Sequence, residues 1–356
     1  MSERPIGVGI VGSGFGTEVA APAFASVDGA SVTAVCSRRV ERARAAADEL
    51  GASFATDSVD SLCARPDVDL VFVATPPHLH GDVVLAALDA GKHVVCEKPF
   101  GLSPADALSM LERAVERDRL HFLDFEFRTE PARRALATAI ADGVLGEVRH
   151  VTISAMVAGG RFPVMNRDGW WQRRDLGGGW LGAMGSHYLD AIRVWFGEIV
   201  SISAHLETRR THLALDADAA PITADDGFVA RITTETGVVC VLDTTSSIGV
   251  DIGPRIEVYG TAGTAVLEGE RVLTLTDEAG SRDRRDFTPH GSSPRHPSRG
   301  ALGVWAAEIV AAVQSGRQLA PNFLDGLRVQ EVIAAAHRSD AAHGAEVLVE
   351  HQPVAT

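Results

Sequence analysis

The chain has 356 residues, 46% of them hydrophobic and 22% charged, and its 33 Lys and Arg against 47 Asp and Glu give a formal net charge of −14. This apolar content excludes a disordered chain, and the length suits about two globular domains. Because an acidic surface repels phosphate backbones and anionic lipids, the charge argues against nucleic-acid and membrane partners.

The first residues and the cysteines bear on whether the protein is secreted, spans a membrane, binds a metal or contains disulfides. Residues 1–5 are polar, and the apolar stretch after them is short and rich in glycine, which fits neither a signal peptide nor a membrane span. We therefore expect a cytoplasmic protein. The four cysteines stand singly, without a CxxC pair or a Cys/His cluster at metal-ligand spacing, so we predict neither a bound metal nor a disulfide framework.

Residues 1–127 alternate short β-branched runs with alanine-rich amphipathic stretches. The predicted strands are Ile6 to Val11, Ser31 to Cys36, Leu70 to Ala74, His93 to Cys96 and His121 to Phe125. The predicted helices are Glu18 to Val27, Val40 to Leu50, His78 to Ala90 and Pro104 to Arg117. This repetition indicates an α/β domain with a doubly wound parallel sheet that helices cover on both faces.

Residues 128–356 have a different texture and are predicted to form a second, α+β domain. After a helix from Ala132 to Asp142, longer strands joined by turns indicate a large open, mainly antiparallel sheet. The segment Gly280 to Gly300 has no periodicity and is predicted to be a surface loop. Two helices, Ala301 to Ser315 and Phe323 to His343, are predicted to close the chain.

The first strand runs into a glycine-rich turn that opens a helix, Gly12-Ser13-Gly14-Phe15-Gly16-Thr17. Glycine lets such a backbone turn tightly and approach a pyrophosphate, while the helix N-terminus offers amides and a positive dipole end. Thr17 stands where the strict G-x-G-x-x-G pattern has glycine, so the turn alone fits a cofactor cradle and an ordinary connection equally. Its place at the first β/α crossing favours the cofactor.

The end of the second strand bears on the choice of cofactor. An acidic residue there would accept hydrogen bonds from the ribose hydroxyls of NAD, but this strand ends in Ser37, Arg38 and Arg39. Guanidinium groups bind a 2′-phosphate in a forked geometry. The sequence therefore favours NADP(H) over NAD(H), against the alternative of two arginines that are merely solvated.

Two further segments indicate function more specifically than the glycine turn does. Both lie at the carboxyl end of a strand of the parallel sheet, where the ligand crevice is expected. They are Thr75-Pro76-Pro77-His78-Leu79-His80 and Ala90-Gly91-Lys92-His93-Val94-Val95-Cys96-Glu97-Lys98-Pro99. The pattern continues with Gly177-Gly178-Gly179, Gly185-Ser186-His187 with Asp190, and Asp325-Gly326-Leu327-Arg328. Over nearly its whole length the sequence resembles the glucose-fructose oxidoreductase / inositol dehydrogenase / rhizopine-catabolism (Gfo/Idh/MocA) family.

The resemblance implies a Rossmann domain followed by a substrate-binding domain whose open sheet forms a homodimer or homotetramer interface. It implies hydride transfer between the nicotinamide and a secondary alcohol or ketone of a sugar, cyclitol or related polyol. Lys98 would stand beside the reacting hydroxyl, and Glu97 would contact the cofactor or orient Lys98. Thr75, Pro76 and His80 would flank the nicotinamide.

The resemblance also assigns proton transfer to His187 together with Lys98. Typical members carry an aspartate four residues before this histidine, where this chain has Ala183. Two alternatives stay open, the first because relatives in the family use it and the second because of Ala183. One is transient sugar oxidation in the service of elimination or glycoside cleavage, and the other is a non-catalytic NAD(P)-binding regulatory protein.

The substrate side is predicted from residue type and position. Tryptophan faces stack on sugar rings and arginine binds their oxygens, so the segment Arg161 to Trp180 is the candidate substrate wall, with domain packing as the equal alternative. Asp190 shares a helix face with His187, and the resemblance implies that two further residues, just past the last predicted strand of the first domain, line the crevice. The candidate substrate-binding residues are Trp170, Trp171, Arg174, Asp190, Glu126 and Arg128.

Overall fold

The computed structural model describes residues 4–158, 169–210, 221–290 and 299–354. The chain divides into two compact units, each described here by itself. The first comprises Met1–Glu126, His290–Arg328 and Gln352–Thr356, and the second comprises Phe127–Pro289 and Val329–His351.

The first unit is built on a six-stranded parallel sheet with the order β3-β2-β1-β4-β5-β6. Its strands are β1 (Ile6–Val11), β2 (Ala30–Cys36), β3 (Phe54–Thr56), β4 (Leu70–Val73), β5 (His93–Cys96) and β6 (His121–Leu123). Its helices are α1 (Ala21–Ala25), α2 (Val40–Leu50), α3 (Val59–Cys63), α4 (His80–Asp89), α5 (Pro104–Glu116) and α8 (Arg299–Ser315). The strand order reverses between β1 and β4, where doubly wound sheets bind their ligands.

The segment 290–328 joins the first compact unit, whereas the sequence analysis placed it in the second domain. Trp305 on α8 is fully buried, its ring meets Phe122 edge to face at 6.0 Å, and its indole N–H donates to the carbonyl of Leu123 at 3.1 Å. Leu302 and Ile309 on the same helix join this core. The packing of α8 in the first unit could not be predicted from the sequence, because no local pattern shows which core an apolar helix joins.

The second unit contains a nine-stranded mixed sheet with the order β14-β13-β12-β11-β7-β10-β9-β8-β15, in which β7 and β10 pair in parallel and the other pairs are antiparallel. The strands nearest the chain start are β7 (Val148–Ala158), β8 (Ile199–Glu207), β9 (Gly227–Thr234), β10 (Val239–Ile248) and β11 (Gly253–Gly260). The remaining strands are β12 (Gly263–Glu268), β13 (Val272–Asp277), β14 (Arg282–Asp286) and β15 (Val347–Leu348). Its helices are α6 (Pro131–Ala141) and α7 (Ser186–Phe196), and α9 (Phe323–Ala341) belongs to it from Val329 onward.

The predicted surface loop from Gly280 to Gly300 is wrong in part, because β14 forms the exposed edge of this sheet. The sequence did not predict this strand because all five of its residues are charged. Charged side chains on an edge strand commonly prevent it from pairing with another chain. Residues 291–298 of the predicted loop lie outside the described residues.

Burial alternates along the central strands of this sheet. On β7, Val151, Ile153 and Ala155 are buried, whereas Thr152 and Ser154 are only half-buried. One face of the sheet therefore packs against the core of the unit, and the other carries a more polar, more exposed set of side chains. None of the helices in the described part of the chain combines the length and the apolar character that crossing a bilayer requires.

Candidate active site

The first unit gathers its predicted site residues at the carboxyl ends of its strands. Backbone hydrogen bonds extend the sheet just past these ends, from Gly12 N to Cys36 O (2.9 Å), Ala74 N to Val11 O (2.8 Å), Glu97 N to Val73 O (3.0 Å) and Asp124 N to Cys96 O (2.9 Å). The glycine turn, the segment after β4 and the residues after β5 and β6 therefore share one edge of the sheet.

The glycine turn has the shape of a dinucleotide cradle. Gly12 has φ +124°, and a Cβ there would lie 2.4 Å from the carbonyl oxygen of Ala74, so only glycine fits. A Cβ on Gly14 would meet no atom of the described residues within 4 Å. The turn is thus closely packed against the protein at Gly12 and unobstructed at Gly14. A pyrophosphate of an NAD-type cofactor could therefore approach its backbone.

The adenosine end of this edge carries charges of both signs. Ser37 is buried, and its hydroxyl donates to the hydroxyl of Ser13 at 2.9 Å, which ties the tip of β2 to the glycine turn. Arg38 and Arg39 are exposed just beyond it. Sequence reasoning missed Asp57, an exposed carboxylate directly after β3, the strand that pairs with β2.

His80 connects two of the predicted site segments. It is fully buried, with Nε2 2.8 Å from the carbonyl of Thr75 and Nδ1 3.3 Å from the carbonyl of Phe100. Burial lowers its pKa to about 4, so the ring is neutral at physiological pH and its single N–H serves one carbonyl at a time. Its part in cofactor binding stays a prediction, and this geometry would make that part indirect.

The reactive end of the predicted site follows β5. Lys98 is half-buried and joined to Pro99 by a cis peptide bond. Glu97 is buried, and its Oε2 accepts a hydrogen bond from the backbone N–H of Lys98 at 3.2 Å. Two more buried carboxyl groups, Asp124 and Glu126, follow the neighbouring strand β6.

Asp124 was not among the sequence-predicted site residues. Burial, followed by the negative charges of Glu97 and Glu126, raises its pKa well above the ordinary range of a carboxyl group. Burial also raises the pKa of Glu97, although the charge of Lys98 opposes that shift. Its position directly after β6 corresponds to that of Glu97 after β5, but this correspondence becomes visible only once the pairing of the two strands is known.

In the second unit, His187 is buried on α7. Its ring stacks on Phe127 with centroids 4.0 Å apart and planes 14° from parallel. Ala183, one helical turn earlier in the segment Leu181–Gly185, is also buried. The family's carboxylate position is therefore filled by a methyl group inside the protein.

Two predicted substrate-binding residues bind each other. The carboxylate of Asp190 accepts two hydrogen bonds from the guanidinium of Arg128, at 2.7 and 2.5 Å, and Arg193 approaches it at 3.7 Å. Asp190 is almost fully buried and Arg128 is 19% exposed. Their substrate roles stay predictions, and in this arrangement Arg128 carries the more accessible polar group.

A buried cation that sequence reasoning missed supports this region. The guanidinium of Arg133 lies 4.9 Å from the ring of Phe127 and 5.2 Å from that of Tyr188. It also donates twice to Glu270, both times at 2.7 Å. Phe127 is thus held between a cation and the imidazole of His187.

The predicted substrate wall is described only from residue 169 onward, and its part from 161 to 168 lies outside the described residues. Trp170 and Trp171 are half-buried, with ring centroids 5.0 Å apart, and Arg174 is exposed. Trp180 is different, because it is buried and donates its indole N–H to the hydroxyl of Thr244 at 2.9 Å. That tryptophan belongs to the core, whereas the first two keep accessible surface.

Comparison with known families gives a match in each unit. Residues 6–125 match the family model described as "Oxidoreductase family, NAD-binding Rossmann fold". Residues 133–266 match the model described as "GFO/IDH/MocA C-terminal domain".

Similar proteins are known by sequence and by structure. An uncharacterized oxidoreductase of Synechocystis sp. is 30% identical over 276 residues, which is 76% of this chain and 74% of that protein. The levoglucosan dehydrogenase of Pseudarthrobacter phenanthrenivorans is 27% identical over 369 residues, covering 91% of this chain and 93% of the relative. A solved levoglucosan dehydrogenase complex with NADH and levoglucosan superposes with a TM-score of 0.86 at 25% identity, covering 98% of this chain and all of that one.

Proposed function

The chain belongs to the Gfo/Idh/MocA family of NAD(P)-dependent oxidoreductases, and we propose that it transfers a hydride between NADP(H) and a secondary alcohol or ketone of a sugar, cyclitol or related polyol. The observation that carries the proposal is the half-buried Lys98 beside buried carboxyl groups at the carboxyl edge of a dinucleotide-binding sheet. The family resemblance and the enzyme class predicted from the motifs are confirmed by these matches.

When bound, the nicotinamide supplies the hydride acceptor or donor. The ammonium of Lys98 donates a hydrogen bond to the substrate oxygen and stabilises the negative charge that grows there as the hydroxyl proton leaves. That proton passes to His187, or to Lys98 if the lysine starts as the neutral amine, and the same group returns it in the reduction direction. Phe127, stacked on the imidazole, fixes the plane in which His187 presents its ring nitrogens.

We propose NADP(H) as the preferred cofactor, with Arg38 and Arg39 as ligands of the 2′-phosphate. Asp57 opposes this preference, because its carboxylate would repel the phosphate. A fluorescence titration with NADPH and NADH tests the preference directly. Replacing both arginines by alanine should weaken NADPH binding about tenfold and leave NADH binding unchanged. Equal dissociation constants in the wild type would refute it.

The substrate class rests on the aromatic pair and on the relatives. Trp170 and Trp171 offer two adjacent half-buried ring faces of the kind that stack on sugars. The named relatives include levoglucosan, D-apiose and inositol dehydrogenases. Their substrates share a secondary alcohol on a carbohydrate or cyclitol frame.

The decisive experiment offers sugars and cyclitols with NADP⁺ and NAD⁺ to the wild type and to Lys98→Met, and follows reduced cofactor and product together. Stoichiometric reduced cofactor that depends on Lys98 supports a net dehydrogenase. Product without net reduced cofactor would favour transient oxidation for elimination or glycoside cleavage. Cofactor binding without turnover of any compound would favour the regulatory alternative, for which Ala183 is the supporting feature.

We further propose that the chain forms a homodimer or homotetramer through the more exposed face of its nine-stranded sheet. The side chains on that face of β7 and β10, such as Thr152 and Val241, are half-buried rather than charged and fully exposed. Light scattering at working concentration tests this directly, and a monomer would contradict it.

A further inference from the structure

Three carboxyl side chains and one lysine crowd the ends of β5 and β6. The relative exposures of Glu97, Asp124 and Glu126 are 9%, 0% and 3%, and Lys98 is half-buried. If all three carboxyl groups were ionised, their negative charges would repel one another in a region shielded from water. Such a state is strongly unfavourable, so the cluster must retain protons.

The hydrogen bonds of the cluster require one proton at a definite place. In the described part of the chain, no N–H group and no hydroxyl group donates to either carboxyl oxygen of Asp124 or to Oε1 of Glu97. Cys96 pairs with Leu123 across β5 and β6, so the next residues, Glu97 and Asp124, lie side by side with their carboxyl groups within hydrogen-bonding reach of each other. Two ionised carboxylates only accept hydrogen bonds, so one member of this pair carries a proton.

The surroundings decide which member carries it. Glu97 accepts the backbone N–H of Lys98 at 3.2 Å and lies beside that residue's positive charge. Asp124 is more deeply buried and faces the negative charges of Glu97 and Glu126. Ionisation is therefore cheaper at Glu97, and the proton belongs on Asp124.

We propose that Asp124 is a positioning residue of this enzyme: as a neutral acid it donates a hydrogen bond to the Glu97 carboxylate and so holds that carboxylate beside Lys98. The inference rests on the proposed function in taking Lys98 as the reacting group. It differs from a role in which Asp124 itself exchanges protons with substrate, because Asp124 keeps its proton throughout.

The other charged and titratable groups near Glu97 and Asp124 do not replace the proton that we place on Asp124. The Cys96 thiol lies beside Glu97 and Asp124, and burial raises its pKa well above the ordinary range, so it stays neutral. Glu126 adds negative charge, and Lys98 is the neighbouring cation. Within the residues described, no group of three or more His, Cys, Asp or Glu side chains forms a metal site that would compensate the carboxylates instead.

Stability against pH tests the protonation without any cofactor. A native state that keeps a proton on Asp124, which the unfolded chain loses above about pH 4, becomes less stable relative to the unfolded chain as pH rises. Asp124→Asn supplies an N–H donor that cannot ionise. Its urea midpoint should therefore gain on that of the wild type as pH rises from about 4 to 8, whereas the exposed control Asp48→Asn should show no such trend. A pH-independent difference for Asp124→Asn would overturn the proposal.

Kinetics test the positioning role. Asp124→Asn should keep kcat within about threefold of the wild type, whereas Asp124→Leu, of similar volume but without a donor, should lower kcat about tenfold with little change in the Kd for NADPH. Equal losses in both variants, or full activity of Asp124→Leu, would contradict the inference. If the wild type itself binds cofactor but turns over no sugar, the proposed function fails, while the pH trend still decides the protonation of Asp124.

Discussion

Two buried charged regions, one in each compact unit, neutralise their carboxylates by different means. At the ends of β5 and β6 we propose that Asp124 keeps a proton, so that the pair it forms with Glu97 carries one negative charge beside Lys98. In the second unit, Asp190 instead receives a forked pair of hydrogen bonds from Arg128. The first arrangement changes when protons are added or removed. The second is insensitive to pH near neutrality, because guanidinium groups stay charged.

This difference fits the parts that we propose for the two regions. A lysine that stabilises a changing charge gains from a buried carboxylate that is held in one position beside it. A histidine that moves a proton in a fixed direction gains from a rigid frame of stacked rings and forked ion pairs, as Phe127 and Arg133 provide. The variants below probe one region or the other.

The largest effect is expected for Lys98→Met, which removes the cation of the first region. Without it, kcat/KM should fall by about 10⁴, since charge stabilisation and proton transfer are both lost. The matched control is Lys92→Met in the same unit, whose ammonium donates to the carbonyls of Arg65 and Val68 at 2.9 Å. That variant should lower Tm and leave kcat unchanged. A Lys98→Met enzyme with near-normal kcat would exclude Lys98 from the chemistry.

Next is His187→Ala in the second region. Turnover should fall by about 10² to 10⁴, the usual contribution of a general acid or base, while fluorescence titration still detects cofactor binding. His205→Ala is the control, because His205 lies on β8 of the same unit and its side chain is 69% exposed. Full activity of His187→Ala would refute its role in proton transfer.

A third variant measures how firmly the second region is held. Arg128→Met leaves the buried carboxylate of Asp190 without its forked partner and should lower the free energy of unfolding by about 3 kcal/mol. Arg209→Met breaks a similar forked pair with Glu207 at the surface, where Arg209 is 65% exposed, and should cost less than about 1 kcal/mol. Equal costs in urea denaturation would show that burial does not strengthen the Arg128 pair.

The last effect, which appears only at acidic pH, concerns the stability of the first unit. His80 has its pKa lowered to about 4 by burial, so the unfolded chain binds a proton there between about pH 6.5 and 4 that the folded chain does not. Stability therefore rises with pH across this window and is lost as pH falls, by up to about 3 kcal/mol over the whole range. In His80→Asn this part of the pH dependence should disappear. An unchanged acid limb in urea titrations would contradict the assignment.

The parallel sheet was predictable because its central strands are buried on both faces. The strands β4 and β5 therefore read as uninterrupted apolar runs between helical stretches. The short strand β3 was missed because three residues give no periodicity. The edge strand β14 was missed because its charged side chains carry no hydrophobic signal at all.

The candidate site was predictable where function imposes a local motif. The glycine turn and the Glu97-Lys98-Pro99 segment could be placed at strand ends from the sequence, because each motif lies within a few residues of the strand that precedes it. Asp124, Arg133 and Glu270 could not be found in this way. Each of them acts by contacting a side chain on another helix or strand, and no local sequence pattern identifies that contact.

By itself, therefore, the sequence determined the family, the parallel and open sheets, and the strand ends that carry the reactive residues, because hydrophobic period and turn chemistry act over short stretches of chain. Only the tertiary structure decided that α8 returns to the first core, that Arg128 binds Asp190, and that the buried carboxyl groups of Glu97 and Asp124 lie side by side. Those features depend on burial and on charges that folding brings together from separate elements, and electrostatic interaction is strong only where water has been excluded.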